Sequence, residues 1–184
     1  SPNSLGEITA DSVLKAIRPT TKLVSLFWVQ NEIGSINDIK NMAQICRLNK
    51  IYFHTDATQA IGKIPVDLTD VPVDLLSLSA HKFGGPKGVG ILYKRSHDPV
   101  VNIHPMILGG GHEFGQRSGT VNLPLIIGLS KALELSTQPQ YLQELKKHWQ
   151  NLQNIFWNEI KNNFATAQIN GPTDFATRSP NNLN

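Results

Sequence analysis

Three short stretches place reactive side chains directly after apolar runs. Gln30-Asn31-Glu32-Ile33-Gly34 follows the run from Lys22 to Val29. Asp56-Ala57-Thr58-Gln59 follows Ile51 to Thr55. Ala80-His81-Lys82, then Phe83-Gly84-Gly85-Pro86-Lys87-Gly88, follow the run from Val73 to Ser79. Carboxylate, amide, imidazole and amine groups at such places can hold a ring, bind an anion or attack a carbonyl. Each alone also has a plain reading. A carboxylate after a strand is often a turn residue or a helix N-cap. His81 is as readily a satisfied, half-buried histidine, and Lys82 a solvated surface lysine.

Together the three stretches fit one demanding chemistry, that of pyridoxal phosphate (PLP). This cofactor needs a lysine amine for its aldehyde and a carboxylate for its pyridine nitrogen. It also needs hydrogen bonds to its ring oxygen, and hydroxyl, imidazole or backbone donors for its phosphate. A lysine amine is nucleophilic only without its proton, and partial desolvation or a neighbouring cation favours that state. Gly84, Gly85 and Gly88 allow close backbone approach or positive φ just after Lys82.

Four ordered motifs extend the pattern. They are Asn-Glu-Ile-Gly at Asn31–Gly34, His-x-Asp-Ala-x-Gln at His54–Gln59, Ser-x-His-Lys-x-x-Gly-Pro-Lys-Gly at Ser79–Gly88, and a glycine-rich Gly109–Thr120 with Arg117-Ser118-Gly119. On these motifs the sequence resembles the cysteine desulfurases, fold-type I PLP enzymes of the class V aminotransferase-like group, from Leu5 to Asn184. The resemblance implies that Lys82 links covalently to PLP and moves protons, and that Asp56 pairs with the pyridinium nitrogen. It places Asn31 and Gln59 at the phenolic oxygen and Ser79 and His81 at the phosphate. It places Thr120 at the phosphate of a partner subunit, hence in a homodimer with shared sites. On the residues alone, Thr120 equally suits the cap of a helix starting near Asn122.

The activity implied is conversion of L-cysteine to L-alanine, with sulfur passed as a persulfide to a sulfur-acceptor or scaffold protein for iron–sulfur cluster or thio-cofactor synthesis. Selenocysteine lyase is the nearest enzymatic alternative. A non-catalytic module that keeps the fold is the alternative from another class. Both ends of the sequence look cut. The sulfur-accepting cysteine, the arginine for the substrate carboxylate and the ring that stacks on PLP are expected outside residues 1–184, so this stretch alone is expected not to complete sulfur transfer. The implied location is cytoplasmic, or mitochondrial if the source is eukaryotic.

The elements that must position these residues alternate in type. Helical spacing marks Ala10 to Ile17, with Thr9 or Asp11 as N-cap, and Ile36 to Asn49. Lys22 to Val29 reads as a buried strand, and Ile51 to Thr55, Val73 to Ser79 and Val89 to Tyr93 as further strands. Gly109 to Gly119 is a glycine-rich loop. Helices are expected over Leu123 to Leu135 and Tyr141 to Phe164. This alternation predicts an α/β fold, a three-layer sandwich on a mostly parallel sheet, with ligands at the carboxyl ends of the strands. The resemblance makes it the fold-type I large domain, residues 1–138. Residues 139–184, where the composition turns rich in Asn, Gln and Lys, are expected to open a small α+β domain.

Other chemistries fit poorly. The net charge of +3 comes without a clustered Lys/Arg stripe, so no nucleic-acid partner is expected. No apolar run has the length of a membrane span. The six histidines lack ligand spacing with one another or with cysteine, so no metal site is expected. Gly84–Gly90 departs from the nucleotide phosphate-loop pattern, and Pro86 removes a backbone donor. Cys46, the single cysteine, falls on the apolar side of its helix and reads as a small core residue.

Overall fold

In a computed structural model, residues 2–98 and 100–184 are described. Ser1, read above as a cut end, and Pro99 lie outside the described residues. Among the described residues, four strands form one sheet in the order β1 (Leu23–Phe27), β2 (Tyr52–Asp56), β3 (Leu75–Ser79), β4 (Gly90–Lys94). The β1–β2 and β2–β3 pairings are parallel, and β4 closes the edge antiparallel to β3.

β1 and β3 are shorter than the apolar runs that announce them, and β2 and β4 lie one residue further on than expected. Val29 lies beyond β1 and forms an isolated antiparallel bridge with Ile36. Ile36 is therefore not helical, and α2 spans Ile39–Leu48 with Asp38 as its cap. A buried polar residue explains the shift. Asn37 Nδ2 donates to Phe27 O at 2.8 Å, and Asn37 Oδ1 accepts from Ile8 N at 2.9 Å. These bonds hold the backbone of Asn37 in the turn rather than in the helix. At the chain's first helix, α1 (Ala10–Ala16), Thr9 is the cap and accepts from Ser12 N at 3.1 Å. Asp11 instead pairs with Lys15 one turn on.

The core lies on one side of the sheet. Ile39, Met42, Ala43 and Cys46 of α2 pack with Phe53, Leu76 and Leu78, and Leu129 of α3 (Leu123–Ser136) joins them. Burying each large apolar side chain stabilises the fold by roughly 1.5–3 kcal/mol. Cys46 is fully buried, as its helical position predicts. The reading of Lys22–Val29 as a wholly buried strand needs correction. Leu23 and Phe27 are 51% and 50% exposed, and Tyr52 and Leu92 are exposed on the same face. Strand side chains alternate, and a strand is buried on both sides only where helices cover both faces of its sheet. Among the described residues the second face is open. It carries Ser25, His54, Asp56 and Ser77, in register across β1 to β3.

Thr137 and Gln138 separate α3 from α4 (Pro139–Asn163). The last residues return to the sheet end, where Arg178 bridges Ser35. Among the described residues, no helix is long and apolar enough to cross a membrane.

Candidate active site

The strand ends deliver their reactive groups together. Asp56, the last residue of β2, lies opposite Phe27 of β1 and Ser77 of β3. Ser79, two residues past Ser77, shares that face and sits about 7 Å further along the strand direction. The chain then tightens into a 3-10 turn, Ala80–Lys82. Phe83 N and Gly85 N both donate to Ala80 O, at 3.1 and 2.9 Å. Gly84, at φ +86°, allows this reversal. Lys82 is thereby held exposed at the carboxyl ends of β2 and β3.

Local hydrogen bonds set the donors. Thr58 N donates to Asp56 Oδ1 at 2.8 Å, which fixes the carboxylate and leaves Oδ2 free of partners among the described residues. Ser79 Oγ and His81 Nδ1 are 2.9 Å apart. These two line a cleft of about 400 Å³ with Lys87, Gly88, Val89 and Gly90. A hydroxyl, an imidazole, an ammonium and glycine backbone around one cleft suit an anionic group.

The other expected site residues are placed differently. Asn31 is exposed after β1, and its amide donates to Glu32 Oε1 at 2.6 Å rather than toward Asp56. Gln59 is half-buried in the turn after β2. Thr120 is exposed in the glycine-rich loop. It does not cap α3; Asn122 does, accepting from Leu125 N at 3.3 Å.

Two groups near the site were given no role by sequence. His54 lies two residues before Asp56 on the open face. Its Nδ1 is 2.8 Å from Ser25 Oγ and its Nε2 3.1 Å from Ser77 Oγ, so one imidazole ties three strands. Burial pushes this imidazole below its usual pKa, partly offset by the Asp56 carboxylate. The second is Lys63, buried behind Lys82, whose Nζ donates to Lys82 O at 3.2 Å. A lone lysine between Ala60-Ile61-Gly62 and Ile64 was the signal available for it. Cys46 is no nucleophile in this setting. Burial, with the nearby Asp74 carboxylate, pushes its thiol up to about 11, and the thiol is fully buried.

Known proteins are similar to this chain in sequence and fold. A cysteine desulfurase IscS from Clostridium botulinum is 42% identical over 179 residues, covering 97% of this chain and 44% of the relative. A mitochondrial cysteine desulfurase from Candida maltosa is 47% identical, covering 92% of this chain and 34% of the relative. The chain thus spans less than half the length of these curated relatives. Among solved structures, a NifS-like protein superposes with a TM-score of 0.88 at 38% identity, covering 99% of this chain and 48% of that one. Its likeness identifies the sheet and helices as the large-domain fold of that protein. The Aminotransferase class-V family matches residues 1–181, and the chain belongs to that family.

Proposed function

We propose that the chain is the lysine-bearing part of a PLP-dependent cysteine desulfurase. The carrying observation is the convergence of Asp56, Ser79, His81 and Lys82 at the carboxyl ends of β2 and β3. The similarity to cysteine desulfurases over nearly the whole chain supports the choice of substrate. The donor set fits the cofactor: an exposed amine, a carboxylate with one oxygen unengaged, and a hydroxyl–imidazole pair beside an open cleft.

When bound, PLP supplies an electron sink for bonds at the substrate α-carbon. The chain's own groups have separable tasks. Asp56 Oδ2 holds a proton on the ring nitrogen, with Oδ1 steadied by Thr58 N. Ser79 and His81 hold the phosphate at the cleft. Lys82 Nζ would hold the cofactor at its aldehyde carbon, and the same amine would carry protons to and from the substrate. Asn31 and Gln59 hold the phenolic oxygen, which requires the Asn31 amide to leave Glu32. A thiol other than Cys46 would attack the cysteine sulfur, the C–S bond breaking with its electron pair left on the carbon fragment that is protonated to alanine, and the resulting persulfide would pass its outer sulfur to an acceptor protein.

A homodimer completes this reading. Thr120 and its loop are exposed, with Met106 at 95%, Leu108 at 80% and Phe114 at 98%, which suits contact with a second copy. The domain division also belongs to the proposal. The link at Thr137–Gln138 ends the large domain, and α4 opens the small one. A cytoplasmic setting suits a chain whose chemistry depends on free thiols.

The deciding experiment is PLP addition, borohydride reduction and peptide mass mapping, with Lys82→Ala as control. An adduct confined to Lys82, and alanine released from L-cysteine by the full-length protein, are the expected results. A folded full-length protein without an adduct on Lys82 would overturn the proposal.

A further inference from the structure

The turn after β2 carries a buried amine for which the chemistry above has no task. Lys63 is 7% exposed. It makes no ion pair with a carboxylate among the described residues. Burial, and the facing charge of Lys82, pull it down to about 8. A methionine would fill such a volume without an ammonium to desolvate. The amine therefore has a use beyond packing.

The backbone is built to put it there. Lys63 N and Ile64 N both donate to Ala60 O at 3.0 Å, which closes the turn. Gly62 adopts φ +74°, and a Cβ on it would stand 2.8 Å from Phe83 Cβ. Only a residue without a side chain lets this turn lie flat against the one that carries Lys82. Lys63 Nζ then donates to Lys82 O at 3.2 Å. That oxygen accepts from no backbone N–H among the described residues.

We propose that Lys63 is a positioning residue for Lys82: its amine grips the Lys82 carbonyl and fixes the turn from which Lys82 Nζ reaches the cofactor. The inference rests on the cofactor reading above. It adds that Lys82 is aimed by a second lysine behind it. Two like charges also repel, so Lys63 on the inner side leaves Lys82 the outward course toward the strand ends.

The test uses full-length apo-protein mixed with PLP and quenched with borohydride at intervals, with the Lys82 adduct followed by peptide mass mapping. Lys63→Met and Lys63→Gln are expected to slow adduct formation about tenfold or more, because small misplacements of a reacting group are costly in rate. Lys63→Arg keeps a charged donor and is expected to recover most of the rate. Adduct formation in Lys63→Met at the wild-type rate would overturn the inference and leave the cofactor reading intact. Failure of both Met and Gln variants to fold, with a folded Arg variant, would make Lys63 a structural residue and overturn it too. Absence of a Lys82 adduct in the wild type would overturn both readings together.

Discussion

Arg178 Nη2 donates to Ile33 O at 2.8 Å and so ties the last stretch of the chain to the loop that follows β1. Arg178 is 1% exposed. It also donates to Pro172 O through Nη1 at 2.7 Å, to Asn170 O, and to the side chain of Asn182. Asn182 in turn donates to Glu32 O at 2.8 Å. The loop that bears Asn31 is thus held from below by residues far away in sequence. Arg178→Met leaves the buried Pro172 carbonyl and the half-buried Ile33 carbonyl without this donor, and a buried orphan costs about 1–3 kcal/mol. A loss of about 1–3 kcal/mol in urea unfolding is expected on that basis. Arg178→Lys is expected to recover little, because an ammonium cannot reproduce the planar fork. A loss below about 1 kcal/mol would mean that this clasp contributes little.

Asp56→Asn separates charge from shape. The amide oxygen still accepts from Thr58 N, so the end of β2 keeps its form. What is lost is the negative charge for a ring N–H. The full-length variant is expected to keep covalent cofactor on Lys82 and to turn over L-cysteine about 100-fold more slowly, the scale of losing one preorganised electrostatic partner. Mass mapping of the adduct beside the kcat measurement separates this outcome from loss of cofactor. Unchanged kcat would remove Asp56 from the mechanism.

Much of the candidate site was legible because its residues end or follow strands at short range. Asp56, Ser79, His81 and Lys82 lie within a few residues of β2 and β3, and such local placement survives in sequence. The strand and helix order was legible for the same reason, through apolar periodicity. The misreadings concern tertiary context. Nothing local tells that Leu23 and Phe27 face away from the helices. Nor does it tell that Asn37 spends its side chain on Phe27 and Ile8 and delays α2. Lys63, Arg178 and the Asp74–Arg95 pair were invisible because each is a charge whose partner lies twenty or more positions away, or is a backbone carbonyl.

His54 gives the fold an acid sensitivity. Its imidazole binds a proton less readily in the native state than at its ordinary value of 6.5. The unfolded chain therefore takes up the proton first as pH falls. Stability is present above about 6.5 and is lost on acidification below it. Urea unfolding at pH 7.5 and 5.5 is expected to show a larger loss in wild type than in His54→Gln. Equal losses would show that the Ser25–His54–Ser77 chain does not couple folding to protonation.

At alkaline pH two buried groups act in opposite directions. Lys63 titrates at about 8 in the native state against 10.5 in the free side chain. Between these values only the unfolded chain holds the proton, so stability rises with pH. Cys46 titrates at about 11 against 9.0, so over that span only the native state holds the proton and stability falls. Relative to Lys63→Met, the wild type is expected to gain about 2 kcal/mol between pH 8 and 9.5. Relative to Cys46→Ala, it is expected to lose stability above pH 9. Parallel stability curves for wild type and either variant would contradict the corresponding burial.

Gly62 and Gly84 offer a matched pair of substitutions on the two turns that meet behind Lys82. Both have positive φ, +74° and +86°, so alanine strains the backbone at either, by about 1–2 kcal/mol. They differ in space. A Cβ at Gly84 meets nothing within 4 Å, whereas one at Gly62 stands 2.8 Å from Phe83 Cβ and 3.2 Å from Ser136 Cβ. Overpacking of that kind adds about 1–3 kcal/mol. Gly62→Ala is therefore expected to unfold at lower urea than Gly84→Ala. It is also expected to slow adduct formation on Lys82, because the clash parts the Lys63 turn from the Lys82 carbonyl. Gly84→Ala leaves that contact in place. Equal stability of the two variants would mean that the turns are not pressed together as tightly as the Gly62–Phe83 approach requires, and the route by which Lys63 reaches Lys82 would fail with it.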